Sequence, residues 1–248
     1  IDVQQEVSGR RTNISLGFSR AVDQVGRASD QVFFDNARHW QYRVGLTQIL
    51  TPRWQASVNV EAVSDTGYLG NAYRTARVFG AIVPERHPRT RSSRAIKIGA
   101  VGRVGWFPQE GQGEPRDAFR ADYRYFWDTW DIRAHTAEVG YSRYIGESFL
   151  ADGFVRYYKQ SKALFYSDNA QADTTYLSRN RQLGTYDNVT VGGKLSYDWK
   201  AQPGVYDLKA NLGLELLNVN YRDYTDVRNG QPYRLRAAVL QLFLTATY

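Results

Sequence analysis

Residues 206–216 read YDLKANLGLEL, and every second residue from Tyr206 to Leu216 is apolar or aromatic. Lys209 and Glu215 stand among the residues between them. Successive side chains of a β-strand point to opposite faces, so this alternation indicates a strand with one apolar and one polar face. The period is two residues, not the 3.6 residues of a helix.

The same alternation recurs along most of the chain and predicts an all-β fold. The predicted strands cover about residues 12–20, 40–50, 54–64, 94–106, 119–127, 131–143, 149–160, 188–199, 205–219 and 235–248. Ile1 to Val7 indicates the lower end of another strand, closed by a turn at residues 8–11. A closed bacterial barrel has an even number of strands, so we expect further N-terminal strands outside this chain. Residues 1–248 then form one barrel domain.

Composition excludes several other classes of protein. The 248 residues carry a formal net charge of +7 and a mean hydropathy of −0.54. No stretch approaches the 18 or more apolar residues of a membrane-spanning helix, and residues 1–20 lack the pattern of a secretion signal. The absence of cysteine excludes disulfides, thiolate nucleophiles and Cys-based metal sites.

Two features decide which face of the strands points outward. A soluble, lipocalin-like barrel would bury the apolar faces inside. Here, however, short connections near residues 51–53, 145–148 and 201–204 alternate with long ones near 21–39, 65–93, 161–187 and 221–234. A turn near 107–118 is longer than the others at its end, and Asp128-Thr129 marks a tight turn at the long-loop end. This asymmetry is typical of outer-membrane barrels with long external loops.

Aromatic residues gather at the short-turn end of the predicted strands, as in the aromatic girdle at a membrane interface. They are Trp54, Trp106, Phe119, Phe149, Trp199, Tyr206 and Tyr248. The sequence therefore predicts an antiparallel, transmembrane, up-and-down β-barrel of the bacterial outer membrane, with apolar residues facing lipid.

The C-terminus ends in an alternating segment that contains Leu242, Leu244 and Tyr248. This pattern is typical of the last strand by which the barrel-assembly machinery recognises its clients, although an ordinary amphipathic strand would look similar. We interpret the three residues as an assembly signal.

Several stretches together resemble the domain-of-unknown-function 3570 family of uncharacterised bacterial proteins, thought to be outer-membrane barrels. They are GLTQILTPRW (45–54), GYLGNAYR (67–74), PERHPRTRSSR (84–94), YRYFWDTWDIRAHT (123–136), RYYKQSKALFY (156–166) and LGTYDNVTVG (183–192). The resemblance implies the barrel fold and additional N-terminal sequence. It implies no catalytic residue, because the family has no assigned activity.

A basic loop is the first candidate binding site. It contains Arg74, Arg77, Arg86, Arg89, Arg91 and Arg94, with Glu85 as the single acidic residue from Asn71 to Lys97. Such a patch attracts anions, which at an outer surface are lipopolysaccharide phosphates, acidic polysaccharide or an acidic surface protein. We expect the loop to be mobile alone, because its cations repel one another and its Gly and Pro residues disfavour regular structure. A merely solvated loop is the alternative.

Charges on the predicted lumen face form the second candidate site. Asp122, Arg124, Glu138, Asp152, Arg156 and Lys194 mix both signs on neighbouring strands. Opposite charges would pair across a narrow lumen, because an unpaired charge in a confined site is costly. They form either a salt-bridged plug, the interpretation we favour, or a selectivity ring.

Catalysis, metal binding and nucleotide binding lack support in the sequence. The three histidines are His39, His87 and His135, and none has a serine at a characteristic spacing. Gly192-Gly193 lies inside a strand and forms no phosphate loop. We therefore expect no enzyme, no cofactor, no metal site and no nucleic-acid partner.

Two functions fit the predicted barrel. In the first, its long external loops anchor or scaffold a partner, such as an acidic surface protein or a periplasmic or lipoprotein partner, and their Tyr and Arg residues favour this interpretation. In the alternative, the barrel is a passive or gated pore for small polar or anionic solutes. In both, membrane lipid, lipopolysaccharide and the barrel-assembly machinery are expected partners.

Overall fold

The computed structural model describes residues 1–7, 9, 11–28, 30–106, 116–202 and 206–247. The described residues form thirteen β-strands and a 3₁₀ helix at Arg181–Leu183. The strands are Asp2–Val7 (β1), Thr12–Arg27 (β2), Asp30–Thr51 (β3), Trp54–Gly67 (β4), Thr75–Val78 (β5), Ala81–Pro84 (β6), Thr90–Arg103 (β7), Asp117–Asp128 (β8), Arg133–Ile145 (β9), Phe149–Gln160 (β10), Tyr186–Gln202 (β11), Tyr206–Thr225 (β12) and Pro232–Thr247 (β13).

Eleven of these strands form one antiparallel sheet in which each strand pairs with the next along the chain. β5 and β6 form a separate two-stranded hairpin between β4 and β7. The predicted up-and-down all-β architecture is confirmed, and the ten predicted strands together with the partial strand at the N-terminus account for all eleven. Within the described residues, β1 and β13 are the two edges of the sheet.

Two of the predicted long loops contain strands, which corrects the sequence prediction. Residues 21–39 continue the pairing of β2 with β3, from Ala21 opposite His39 as far as Arg27 opposite Asp30. The segment 65–93 contains the β5–β6 hairpin, whose turn at Phe79 and Gly80 has positive φ angles of 48° and 84°. Two adjacent residues with positive φ are typical of the tightest hairpin turns. Backbone pairing across each hairpin outweighs the weak strand propensity of these loops.

The predicted tight turn between β8 and β9 is confirmed. Asp128 Oδ1 accepts hydrogen bonds of 2.9 Å from the backbone N–H groups of Trp130 and Ile132. Asp131 has a φ of 67°, which the turn requires. This carboxylate satisfies backbone donors that a four-residue connection would otherwise leave unpaired.

The middle of the apolar face of the large sheet is exposed in the described part of the chain. Val58, Val191 and Leu212, near the middle of their strands, are 43%, 48% and 49% exposed. The hydrophobic core instead lies among the loops, where Trp130, Ile132, Ala163, Tyr166 and Leu183 form one buried cluster. A soluble barrel would bury the apolar face, so the structure favours the outward orientation predicted from the sequence. No helix among the described residues is long and apolar enough to cross a bilayer.

Aromatic rings meet at the short-turn end of the sheet. Trp106 stacks on Tyr141 at a centroid distance of 5.6 Å and lies 5.7 Å from Phe119. Phe149 lies 4.7 Å from Tyr197, and Trp199 is 57% exposed. The side chain of Tyr206 and the whole of Tyr248 lie outside the described residues, so the predicted girdle is only partly visible. Leu242 and Leu244, the other two residues of the predicted assembly signal, are exposed on β13.

Candidate functional site

The six predicted lumen charges all lie on one face of the sheet, which we call the polar wall together with Glu61, Lys97, Arg120, Asp198 and Lys209. Each of the eleven side chains takes part in an ion pair. The pairs are Arg156–Glu138 (2.6 Å), Lys97–Asp122 (3.1 Å), Lys209–Asp198 (3.3 Å), Arg120–Glu138 (3.4 Å), Lys194–Asp152 (3.6 Å) and Arg124–Glu61 (3.9 Å). Strand register explains the arrangement, because Asp152 is directly opposite Lys194 and Arg156 is directly opposite Glu138.

These pairs run along the polar wall and not across a lumen. Five of the six join adjacent strands, and the sixth joins Arg124 on β8 to Glu61 on β4, two strands away. Our expectation that opposite charges meet across a lumen therefore finds no support in these pairs. Arg120 was not among the residues of the predicted site. Its alternation with Asp122 and Arg124 was the signal that would have included it.

Glycines on the polar wall give the charged side chains room to lie flat against the sheet. A Cβ atom added to Gly140 would approach the guanidinium carbon of Arg120 to 2.7 Å. A Cβ atom added to Gly99 would approach Oδ1 of Asp122 to 2.5 Å. Both distances are shorter than a Cβ atom tolerates, so a larger residue at either position would push its charged neighbour away from the wall.

Three connections at the long-loop end fold together into a loop cap, made of residues 68–89, 129–132 and 161–185. β-Bridges tie its parts together, with Val78 opposite Ala170 and Arg86 opposite Leu177. The cap contains the buried Trp130 cluster and a second one formed by Ala76, Val78, Ala170 and Leu177. Burial also raises the pKa of Tyr166, whose neutral hydroxyl donates a 2.9 Å hydrogen bond to the carbonyl of Asp223.

The predicted basic loop is structured and has partners within the chain. Arg89 forms hydrogen bonds of 2.7 and 2.9 Å to the two carboxylate oxygens of Asp35, and Arg86 pairs with Asp173. Arg91 lies on β7, 2.6 Å from Asp128 and 4.6 Å above the ring of Trp130. Acidic side chains distant in sequence neutralise these arginines, which corrects the expectation that the cations of the loop simply repel one another. The mobility of the loop stays a prediction.

The other three arginines of this set have different environments. Arg74 donates a hydrogen bond to the side-chain oxygen of Asn180. Arg77 and Arg94 have no carboxylate partner among the described residues. The six arginines therefore do not form one free cationic surface, and anion or partner binding by the loop stays a prediction.

The three histidines occupy three separate environments. His39 lies 2.8 Å from Asp65 and 3.1 Å from Asp23, and Nδ1 of His135 lies 2.7 Å from the hydroxyl of Tyr123. His87 is buried in the loop cap with Glu85, at 3.2 Å, and its ring contacts Trp130 and Phe165. In the described part of the chain, no serine hydroxyl is hydrogen-bonded to a histidine, and no cluster of three His, Asp or Glu residues could hold a metal ion.

A cavity of about 380 Å³ separates the loop cap from the upper end of the polar wall. Its lining includes His87 from the cap, Arg91 and Arg124 from the wall side, and Tyr158 and Gln160 from β10. The cap therefore covers this end of the polar face without filling the space beneath it.

The contact between Asp35 and Arg89 predicts a specific acid titration. Hydrogen bonding by Arg89 lowers the pKa of Asp35 from 3.8 to about 2. Because the folded-state pKa is depressed, the stability from this contact is complete above the ordinary pKa and is lost as pH falls through about 2. Carbon-13 NMR of the Asp35 carboxyl group should give a midpoint near 2. In Arg89→Gln this midpoint should move towards the ordinary aspartate pKa of 3.8. An unchanged midpoint would show that Arg89 does not lower the pKa of Asp35.

A family model described as "Protein of unknown function (DUF3570)" matches residues 3–227. The chain belongs to the DUF3570 family. The resemblance identified from the sequence is thereby confirmed, over most of this DUF3570 protein.

No curated protein matches this DUF3570 chain. Among solved structures that match, a NanC porin in a rhombohedral crystal form shares 12% sequence identity at a TM-score of 0.40. The match covers 100% of this chain and 99% of the porin chain. A likeness of this size adds nothing to what the strand order already shows.

Proposed function

We propose that this DUF3570 protein is a bacterial outer-membrane β-barrel whose polar wall lines a pore for small polar solutes. The observation that carries the proposal is the neutralisation of the wall charges by neighbours along the wall. Charges satisfied in this way require no partner on the opposite side, so they can border a water-filled lumen.

The apolar face supports placement in a membrane. Its Val, Ile and Leu side chains are exposed over the middle of nearly every strand of the large sheet. Soluble proteins rarely expose so large an apolar surface to water, whereas lipid would cover it. We propose in addition that the sheet closes into a barrel, because strand edges with unpaired backbone groups are not tolerated in hydrocarbon. The edges β1 and β13 would meet directly or through further strands.

The loop cap favours a pore over an anchor for an acidic partner. Arg86, Arg89 and Arg91, which suggested such a partner, already form ion pairs with carboxylates of the same chain. The cavity beneath the cap also leaves space between the loops and the polar wall. Solutes would enter through this mouth, where the guanidinium group of Arg124 offers hydrogen-bond donors to polar groups.

Single-channel recording in planar bilayers tests the pore directly. Purified protein should produce stepwise openings in neutral lipid with potassium chloride on both sides. A control should use protein that has been unfolded before it is added to the bilayer. If the protein inserts stably with native strand content and yet never opens, the pore is contradicted. The alternative would then be a barrel that anchors a partner through its external loops.

Glu138 should set the ionic preference of this pore. It is the shared partner of Arg120 and Arg156, so Glu138→Gln leaves two guanidinium groups on the wall without their carboxylate. We expect the reversal potential in a potassium chloride gradient to shift towards the equilibrium potential of chloride, because excess positive charge at a constriction favours anions. Glu147→Gln, in the exposed turn between β9 and β10, is the matched control and should cause no shift. Equal reversal potentials in both variants would place Glu138 outside the conduction path.

A further inference from the structure

A basic and aromatic patch lies at the long-loop end of the face that carries the apolar residues. We define it by Arg94, Trp127, Arg133, His135 and Lys159. Strand register brings these residues together: Trp127 of β8 is opposite Arg94 on one side and Arg133 on the other, and His135 of β9 is opposite Lys159 of β10. The patch therefore spans four neighbouring strands.

Strand alternation places the patch on the outside of the sheet. Arg94 is two residues from Ile96 on β7, and Lys159 is two residues from Tyr157 on β10, both of which are exposed on the apolar face. The polar wall uses the alternate positions, such as Lys97 and Arg156. Arg94, Arg133 and Lys159 are all exposed. Their charges consequently face the bilayer side of the sheet and not the proposed lumen.

The cations of the patch are poorly neutralised by the protein. Arg94 and Lys159 have no carboxylate partner in the ranges that the structure describes. Arg133 has Asp131 at 3.5 Å, with both side chains more than half exposed. His135 lies beside the hydroxyl of Tyr123. Asp187, directly opposite Lys159 on β11, is paired with Arg222 at 2.9 Å. This differs from the polar wall, where every cation has a carboxylate partner.

Cations continue at the same end of this face on other strands. Arg38 on β3 and Arg234 and Arg236 on β13 are exposed, and none has a carboxylate partner among the described residues. The opposite end of the face carries the aromatic rings of Trp106, Phe149 and Trp199. The cations of the patch and of these strands thus share the long-loop end, which faces the outer leaflet in an outer-membrane barrel.

We propose that the patch binds the phosphate groups of lipopolysaccharide in the outer leaflet. The inference rests on the outer-membrane placement in the proposed function, but not on the pore. Arg94 and Arg133 are two strands apart, which corresponds to about 10 Å between their backbones. Two cations at this spacing suit a headgroup that carries two phosphates, since guanidinium–phosphate hydrogen bonds are charge-assisted. The ring of Trp127 between them sits at the depth that amphipathic side chains prefer.

Native mass spectrometry in a neutral detergent can measure this binding. Wild-type protein is titrated with lipid A that carries two phosphates, with its monophosphorylated form, with phosphatidylglycerol and with inorganic phosphate. We expect the doubly phosphorylated lipid to bind most tightly and inorganic phosphate to compete weakly. If phosphatidylglycerol binds equally well, the patch is a general anionic surface and the proposal fails.

The test variant is Arg94→Gln/Arg133→Gln/Lys159→Gln, and the control is Arg11→Gln/Arg53→Gln/Arg116→Gln, three cations at the short-turn end. Each cation close to anionic headgroups contributes about fivefold to binding, so the test variant should bind lipid A at least about tenfold more weakly. The control should stay within about twofold. Equal affinities of wild type and test variant would overturn the proposal.

Two further measurements separate a failure of this proposal from other failures. If the triple variant does not fold, as judged by circular dichroism, Lys159→Gln alone should lose affinity by about fivefold and Lys159→Arg should restore it. Conductance should be unchanged in the triple variant. A wild type that binds lipid A without conducting would contradict only the pore. One that conducts without preferring lipid A would contradict only the patch.

Discussion

Leu212→Arg is expected to destabilise the membrane-inserted barrel by about 2–4 kcal/mol, the cost of an arginine facing lipid near the middle of the bilayer. Leu212 lies on β12 opposite Leu195 and Leu242, and 49% of its surface is exposed. Its neighbours on this face offer no carboxylate to pair with a guanidinium group. Reversible urea unfolding in phospholipid vesicles measures the change.

Glu215→Arg is the matched control for this experiment. It places the same side chain on the same strand, but on the polar wall side of the sheet. We expect a change of less than about 1 kcal/mol there, because a solvated charge avoids the lipid penalty. A larger loss at Glu215 than at Leu212 would invert the assignment of the two faces.

Trp130→Ala should remove about 3–5 kcal/mol from the stability of the loop cap, as large aromatic truncations in packed cores do. Trp130 is 5% exposed and lies at centroid distances of 5.0 Å from Phe165 and 5.7 Å from His87. Its indole N–H also donates a 3.0 Å hydrogen bond to the carbonyl of Thr90.

Hydrogen exchange of individual amides measures this loss of stability in the loop cap. The amide of Leu164, which donates to the carbonyl of Trp130, should exchange a hundredfold faster or more, while amides in the middle of β12 keep their protection. Trp199→Ala removes an equally large but exposed ring at the other end and should leave Leu164 unaffected. Unchanged exchange at Leu164 in Trp130→Ala would mean that the cap is held by its ion pairs alone.

The strands of the sheet were predictable because each carries its own pattern. Leu208 to Leu216 alternate without interruption, and a period of two defines both the strand and its two faces. Residues 21–39 lack this regularity, with Val22, Val25, Val32 and Phe34 unevenly spaced. Pairing between β2 and β3 extends the strands there, and such pairing is a property of two segments together.

The candidate site was predictable in its faces but not in its partners. The alternation of polar and apolar residues placed Asp152 and Lys194 on one side of the sheet. Their contact, however, depends on the register between β10 and β11. Likewise, the hydrogen bonds from Arg89 to Asp35 join residues 54 positions apart. A single sequence contains no sign of such a contact, and so the basic loop was interpreted as free.

The unequal heights of the strands give the proposed barrel an uneven profile towards the outside. β3 has 22 residues whereas β8 has 12, and the β2–β3 hairpin continues seven residues past Arg20 to Arg27. At about 3.4 Å per residue, that hairpin extends more than 20 Å beyond Arg20 along the strand direction. Large particles that approach the cell from outside include antibodies and phage fibres. They would meet this hairpin first, so changes in its sequence would alter recognition of the cell while leaving the polar wall intact.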